Sequence, residues 1–188
     1  MTPSLPEFWQ MALSELRRAN ADRRHPFRNT VLATSRHNIP SQRTVVMRKF
    51  KSDHSILIYT DSRSQKCLEL GAHQESAAAL LFWHPKKKLQ IRLAGYISQL
   101  EAEEEKRSHW SNVPVVSKKS YTTTKPPGTV IESPLSVGYD TSFDDGRNFS
   151  MLHFHPISIE VLQLNEEMHL RAGFALENGD WNGHWLVP

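Results

Sequence analysis

Ser76-Ala77-Ala78-Ala79-Leu80-Leu81-Phe82-Trp83-His84-Pro85-Lys86-Lys87-Lys88-Leu89-Gln90-Ile91-Arg92-Leu93-Ala94-Gly95-Tyr96 is the stretch that decides the fold. Residues 76–83 are short and largely apolar, which fits a strand buried on both faces. His84-Pro85-Lys86-Lys87 reads as a turn. From Leu89 onward the apolar positions alternate: Leu89, Ile91, Leu93 and Gly95 against Gln90, Arg92, Ala94 and Tyr96. A period of two means a strand with two unlike faces. Strands that follow one another through such short turns favour an antiparallel arrangement, since a parallel pair needs a long crossover.

The same pattern continues on both sides. Residues 28–35, 42–50 and 55–60 read as strands, with a turn at Ile39-Pro40-Ser41 and a polar break at Lys51-Ser52-Asp53. Residues 148–154, 157–164, 169–176 and 180–187 read as four more. Helical character is confined to residues 6–18, 61–73 and 101–110. The first carries Phe8, Met11, Ala12, Ser14 and Leu16 near a 3.6-residue period, with Pro6 suited to a first turn. The second opens with Ser62 and, three residues on, Gln65, a capping-box pattern. Residues 112–147 hold Pro114, Pro126, Pro127 and Pro134 and few periodic apolar positions, so they read as one long functional or mobile loop. These short-turned strands with three helices predict a mainly β, antiparallel barrel, as a single domain over residues 1–188.

Composition narrows the classes. The 188 residues are 38% hydrophobic and 23% charged, ordinary for a globular protein. The longest apolar run, residues 77–83, falls far short of the roughly 20 residues of a membrane span. The N-terminus lacks a basic segment followed by an apolar one, and Cys67 stands alone. A reducing cytoplasm is the expected location. The net charge is only +3, and no zinc-finger or helix-turn-helix pattern accompanies the basic clusters, so neither a nucleic-acid nor a membrane partner is expected.

There is no G-x-G-x-x-G and no phosphate loop. What remains is a scatter of phosphate-friendly groups. Arg43-Thr44-Val45-Val46-Met47-Arg48 brackets an extended apolar stretch with two arginines. Alternation puts Arg43 and Arg48 on opposite faces, so they share one ligand only if the strand bulges or one reaches over an edge. The backbone between them offers amides to a flat ring. Tyr59-Thr60 precedes a helix start carrying Arg63, Gln65 and Lys66, where cations oppose the helix dipole unless an anion is present. Gln90 brings an amide able both to donate and to accept.

In this order and spacing, residues 43–48, Tyr59-Thr60, Lys66 and Gln90-Ile91-Arg92-Leu93-Ala94-Gly95 resemble the flavin mononucleotide (FMN) signature of the pyridoxamine 5'-phosphate oxidase family. The likeness covers roughly residues 27–99 and returns over residues 148–188 with their Trp185-Leu186-Val187-Pro188 end. It implies a split β-barrel, a homodimer, and FMN at the subunit interface. Arg43 and Lys66 would hold the phosphate. Residues Thr44, Val45, Val46, Met47 and Arg48, with Gln90, would border the ring, and Tyr59, Thr60 and Gln65 would line the same cavity. Met168-His169-Leu170-Arg171 is similar to the oxidase's Arg-Leu-His-Asp-Arg, which implies Arg171 on the partner's flavin and His169 as the candidate catalytic group.

The departures fall on the substrate side. Glu167 stands where the oxidase has its first arginine, Leu162 where it has a tryptophan, and Ser108-His109-Trp110-Ser111-Asn112 carries no arginine at the matching place. The FMN site thus reads as kept and the vitamin-phosphate site as lost. The resemblance therefore points to an FMN-dependent oxidoreductase of unknown small-molecule substrate. A flavin carrier or sensor without turnover is one alternative. A haem-binding relative using His153, His155 or His169 is another. His153 and His155 alternate on one strand face, but with no third ligand they read as ordinary strand residues, and no metal is expected. Cys67 reads as a small buried residue, and the five tryptophans as core or interface anchors.

Overall fold

The first element starts at a capping box. The Ser4 hydroxyl accepts from the Glu7 amide and the Glu7 carboxylate takes the Ser4 N–H at 2.7 Å, opening α1, Leu5–Ala21. Its buried stripe is Phe8, Ala12, Leu13, Leu16 and Ala19, interrupted by one buried carboxylate, Glu15. The computed structural model describes residues 2–70, 75–100, 102–140 and 146–188.

Eight strands follow: β1 Asn29–Arg36, β2 Ile39–Phe50, β3 Ile56–Asp61, β4 Ser76–His84, β5 Leu89–Leu100, β6 Phe149–Gln163, β7 Leu170–Glu177 and β8 Asp180–Leu186. All pair antiparallel, in the order β3-β2-β1-β4-β5-β6-β7-β8. β3 also pairs with β6, which closes the first six strands into a barrel. β7 and β8 extend from the C-terminal half of β6 as a flap. Inward residues such as Leu32, Met47, Ile58, Phe82, Ile91, Leu93 and Phe154 are fully buried and form the barrel core. α1 packs its apolar stripe against that core, and Trp9 stacks on Phe174 and Trp181 of the flap.

Several sequence expectations are corrected. The β1–β2 turn is His37-Asn38, both at positive φ, so Ile39, Pro40 and Ser41 belong to the strand. This is the backbone a two-residue hairpin needs. Residues 149–163 form one strand rather than two. Pro156 sits at a bulge, where the β5–β6 register shifts between Ala94 and Gly95. β4 is not buried on both faces, since Leu81 and Trp83 lie 38% and 44% exposed on its outer side. The second helix, α2, spans only Gln65–Leu70, and its expected end at His73 lies outside the described residues. The Ser62–Gln65 capping box does not start it: the Ser64 carbonyl accepts the first helical N–H, from Leu68. The third helix, α3, runs Glu103–Ser111, with Glu101 outside the described residues. The long loop contains a fourth helix, α4 Val115–Lys118, two short 3-10 turns and a bridge between Thr123 and Tyr139.

Gly95 is required by the bulge. A Cβ there would lie 2.0 Å from the His155 carbonyl oxygen. Gly95→Ala is expected to cost about 3 kcal/mol, the upper end of overpacking. Urea unfolding measures this, and a loss below about 1 kcal/mol would mean the bulge yields.

Candidate functional site

The barrel is split between β2 and β3. Their ladder runs only from Phe50↔Ile56 to Met47↔Ile58, with a bulge between Met47 and Lys49. Beyond it, residues 59–61 pair with β6 alone, and residues 39–46 with β1 alone. The facing edges of residues 44–46 and 59–61 therefore carry backbone groups that no ladder between them satisfies. The two strands part there, between the two segments that the sequence singled out.

At the end of the barrel covered by α2, Arg43 and Lys66 come together. Arg43 bonds Thr34 Oγ1 at 2.5 Å, Ser41 Oγ at 2.8 Å and Glu69 Oε2 at 2.9 Å. Among the described residues, Lys66 Nζ donates only to hydroxyls, Thr60 Oγ1 at 2.8 Å and Ser64 Oγ at 3.1 Å. Burial pushes the Lys66 ammonium below its usual value, and the Arg43 charge beside it adds to that. Arg43 holds Glu69, while Lys66 feels Glu69 and Asp61 without a hydrogen bond to either. An anion set between the two cations would relieve both.

Arg48 lies on the outer side. Its guanidinium sits 5.1 Å from the Tyr59 ring centroid. The Tyr59 hydroxyl meets His109 Nδ1 of α3 at 2.6 Å, and burial raises the Tyr59 pKa. So the bulge does not bring the two arginines to one face. Val45 and Met47 point into the core, which leaves only their backbone for any ligand. Thr44 is exposed and Val46 half-buried. Gln65 is exposed on α2, away from these contacts.

Arg63 is not an unmatched cation. It precedes α2 and grips Asp61 with two nitrogens, at 2.7 and 3.0 Å, and the Thr123 carbonyl at 2.9 Å. With Trp110, Tyr121 and Asn148 it lines a cavity of about 300 Å³. Lys118 and Lys119 cover the rings of Trp110 and Tyr139. Cys67 is buried, and its thiol donates to the Asp61 carbonyl.

Gln90 and Arg171 belong to a second surface. Register aligns Gln90, Leu162 and Arg171 in one row across β5, β6 and β7. Arg171 pairs with Glu160 at 3.0 Å. His169, exposed just before β7, accepts the Asn165 N–H. β5 lies three places from β2 around the barrel, so one chain does not gather the two surfaces.

Two buried side-chain nitrogens have no partner among the described residues, Arg48 Nε and Arg171 Nε. A buried donor left unmatched costs about 1–3 kcal/mol. Each lies on one of the two surfaces, and both belong to the set that the resemblance assigned to FMN. The residues present therefore fit that group. Thr34 and Glu69 escaped the sequence reading, and His109 entered it only within the stretch 108–112, because their partners lie up to 50 residues away; Ser64 was passed over although Thr60 and Lys66 lie four and two residues from it.

The pyridoxamine 5'-phosphate oxidase FMN-binding domain profile matches residues 6–101. Pyridoxine/pyridoxamine 5'-phosphate oxidase of Thermosynechococcus vestitus is 32% identical over 85 residues, 45% of this chain and 39% of that protein. The enzyme of the same name from Psychrobacter cryohalolentis is 33% identical over 93 residues, 47% and 42% of the two chains. The matched stretch thus spans about two fifths of these relatives. A pyridoxamine 5'-phosphate oxidase-related, FMN-binding protein of Nostoc punctiforme superposes with a TM-score of 0.78 at 20% identity, over 100% of both chains. PhzG of Burkholderia lata, solved with tetrahydrophenazine-1-carboxylic acid, superposes with a TM-score of 0.75 at 20% identity, over 100% of this chain and 99% of that one. These two show the split-barrel fold. With just over half of its length matched by the family's own profile, the chain belongs to the pyridoxamine 5'-phosphate oxidase FMN-binding family.

Proposed function

We propose that this protein is an FMN-dependent oxidoreductase that holds its flavin at a homodimer interface. The parting of β2 from β3 carries the reading, because it exposes unpaired backbone between the two candidate segments. Arg43 and Lys66 take the phosphate. Thr44, Val46 and the backbone of residues 44–47 border the ring, while Tyr59 and Thr60 line the parting. When bound, FMN supplies the redox chemistry. Arg48 supplies positive charge for the edge of the ring that becomes anionic on reduction, and its free Nε–H is the donor available for it.

Gln90, His169 and Arg171 reach such a flavin only from a second copy. Leu81, Trp83, Tyr96 and Ile157 leave an apolar outer face on β4, β5 and β6 that supports this pairing. Light scattering is expected to give a dimer, and Trp83→Glu a monomer. A monomeric parent protein would remove the second copy from the account. The substrate differs from the vitamin phosphate, given Glu167 and an α3 without the matching arginine. PhzG, with its ring carboxylate ligand, is a relative of the same fold holding another kind of molecule. Anaerobic mixing of the flavin-loaded protein with nicotinamide cofactors tests turnover. Bleaching of the flavin supports the oxidoreductase. A flavin that neither these nor pyridoxamine phosphate reduces favours the carrier.

A further inference from the structure

We propose that His153 and His155 form a surface site for one divalent late transition ion, Zn(II), Ni(II) or Cu(II). They stand two positions apart on β6, so both project from the outer face of the barrel. His153 Nδ1 and His155 Nε2 are 3.1 Å apart. Metal–imidazole bonds of about 2.0–2.1 Å hold two donors about 2.9 Å apart at a right angle and about 3.3 Å apart at the tetrahedral angle. The pair already has the spacing of two ligands on one ion.

Ser55 sets the His153 tautomer. Its hydroxyl donates to Asp53 Oδ1 at 2.7 Å, which leaves its oxygen to accept the His153 Nε2–H at 2.9 Å. Lys51 Nζ approaches the same nitrogen only to 3.4 Å. With the proton on Nε2, the Nδ1 lone pair faces His155. Histidines that bind metals have this outer hydrogen-bond partner. In the metal-free chain the His155 Nε2–H fills the gap. A metal takes its place, and the His155 proton moves to the exposed Nδ1. His155 is exposed in the single chain, beside Tyr96 across the β5–β6 ladder.

A second cluster shows what such a site lacks. Glu15, His25 and His84 are buried, with their ligand atoms within 4.8 Å of one another. There His25 Nδ1 accepts the Phe27 N–H and His84 Nδ1 accepts the Lys87 N–H. Both Nε2 atoms therefore carry protons aimed at Glu15, which Lys87 and Arg18 already hold. No imidazole lone pair is left for a metal.

The test is calorimetric titration of the tag-free full chain with zinc and nickel chlorides, and Cu(II) paramagnetic resonance. The parent protein should bind one ion at a discrete site and show two imidazole nitrogens on copper. His155→Ala, at an exposed position, should weaken binding about 10-fold or more. His37→Asn, an exposed lone histidine, should leave it unchanged. Equal affinity and an unchanged copper spectrum in His155→Ala would overturn the proposal. So would a parent chain whose ions distribute over its histidines without a discrete site.

Discussion

Replacing Lys66 by methionine is expected to weaken FMN binding by about 10- to 100-fold while leaving the melting temperature unchanged or raised. A charge-assisted bond to phosphate contributes about 1.5–3 kcal/mol. Among the described residues Lys66 hydrogen-bonds only hydroxyls, and burial lowers its ammonium, so its charge carries a cost that methionine avoids. Arg43→Ala should weaken binding by a similar factor but also lower stability, because it leaves the Glu69 carboxylate and Thr34 without their partner. Fluorescence titration paired with thermal melts separates the two. If Lys66→Met melts well below the parent and binds FMN as tightly, its ammonium is structural and the phosphate lies elsewhere.

Glu15→Ala should be the most damaging single change to the fold. The carboxylate is 3% exposed and gathers Lys87 Nζ at 2.6 Å, Arg18 at 3.0 Å and His25 Nε2 at 3.2 Å, tying α1 to the β4–β5 turn. Removing one partner of a buried ionic cluster costs about 3–5 kcal/mol. That is a large part of the 5–15 kcal/mol typical of a domain. Urea unfolding checks it, and a loss under about 1 kcal/mol would show that solvent reaches the cluster.

The pH dependence follows. Burial alone would raise Glu15, but hydrogen bonds from Lys87 and His25 outweigh it and hold the carboxyl below its ordinary 4.5. A depressed carboxyl stabilises fully above its unfolded value and loses that contribution as pH falls through the folded one. Burial also lowers His84 below its ordinary 6.5. Below that value the unfolded chain takes up the proton more readily than the fold does. Both groups make stability rise with pH, so the melting temperature should fall as pH drops from 7 toward 4. Glu15→Gln should flatten the lower part of that curve. An equally steep acid limb in the variant would place its origin elsewhere.

The strand pattern was legible wherever one face is buried. Leu89, Ile91 and Leu93 alternate in the sequence and point into the core in the fold. It failed where tertiary context decides. Pro156 looks like a break, yet a bulge opposite Gly95 carries β6 through it. The apolar run of β4 reads as buried on both faces, but a single chain leaves Leu81 and Trp83 open. Arg43 and Lys66 were legible as basic residues near a helix start. Arg63 was misread although its partner, Asp61, lies just two residues before it, because the sequence does not show the side chain folding back onto it. The Tyr59–His109 contact carries no local signal at all.

The most direct test is titration of the purified, tag-free chain with FMN, followed by size exclusion. The account predicts visible flavin bands that shift on binding and travel with the protein as a dimer, with the affinity reduced in Lys66→Met. Free FMN separating from the protein after saturation, with an unshifted spectrum, would contradict the assignment of the β2–β3 parting as a flavin site.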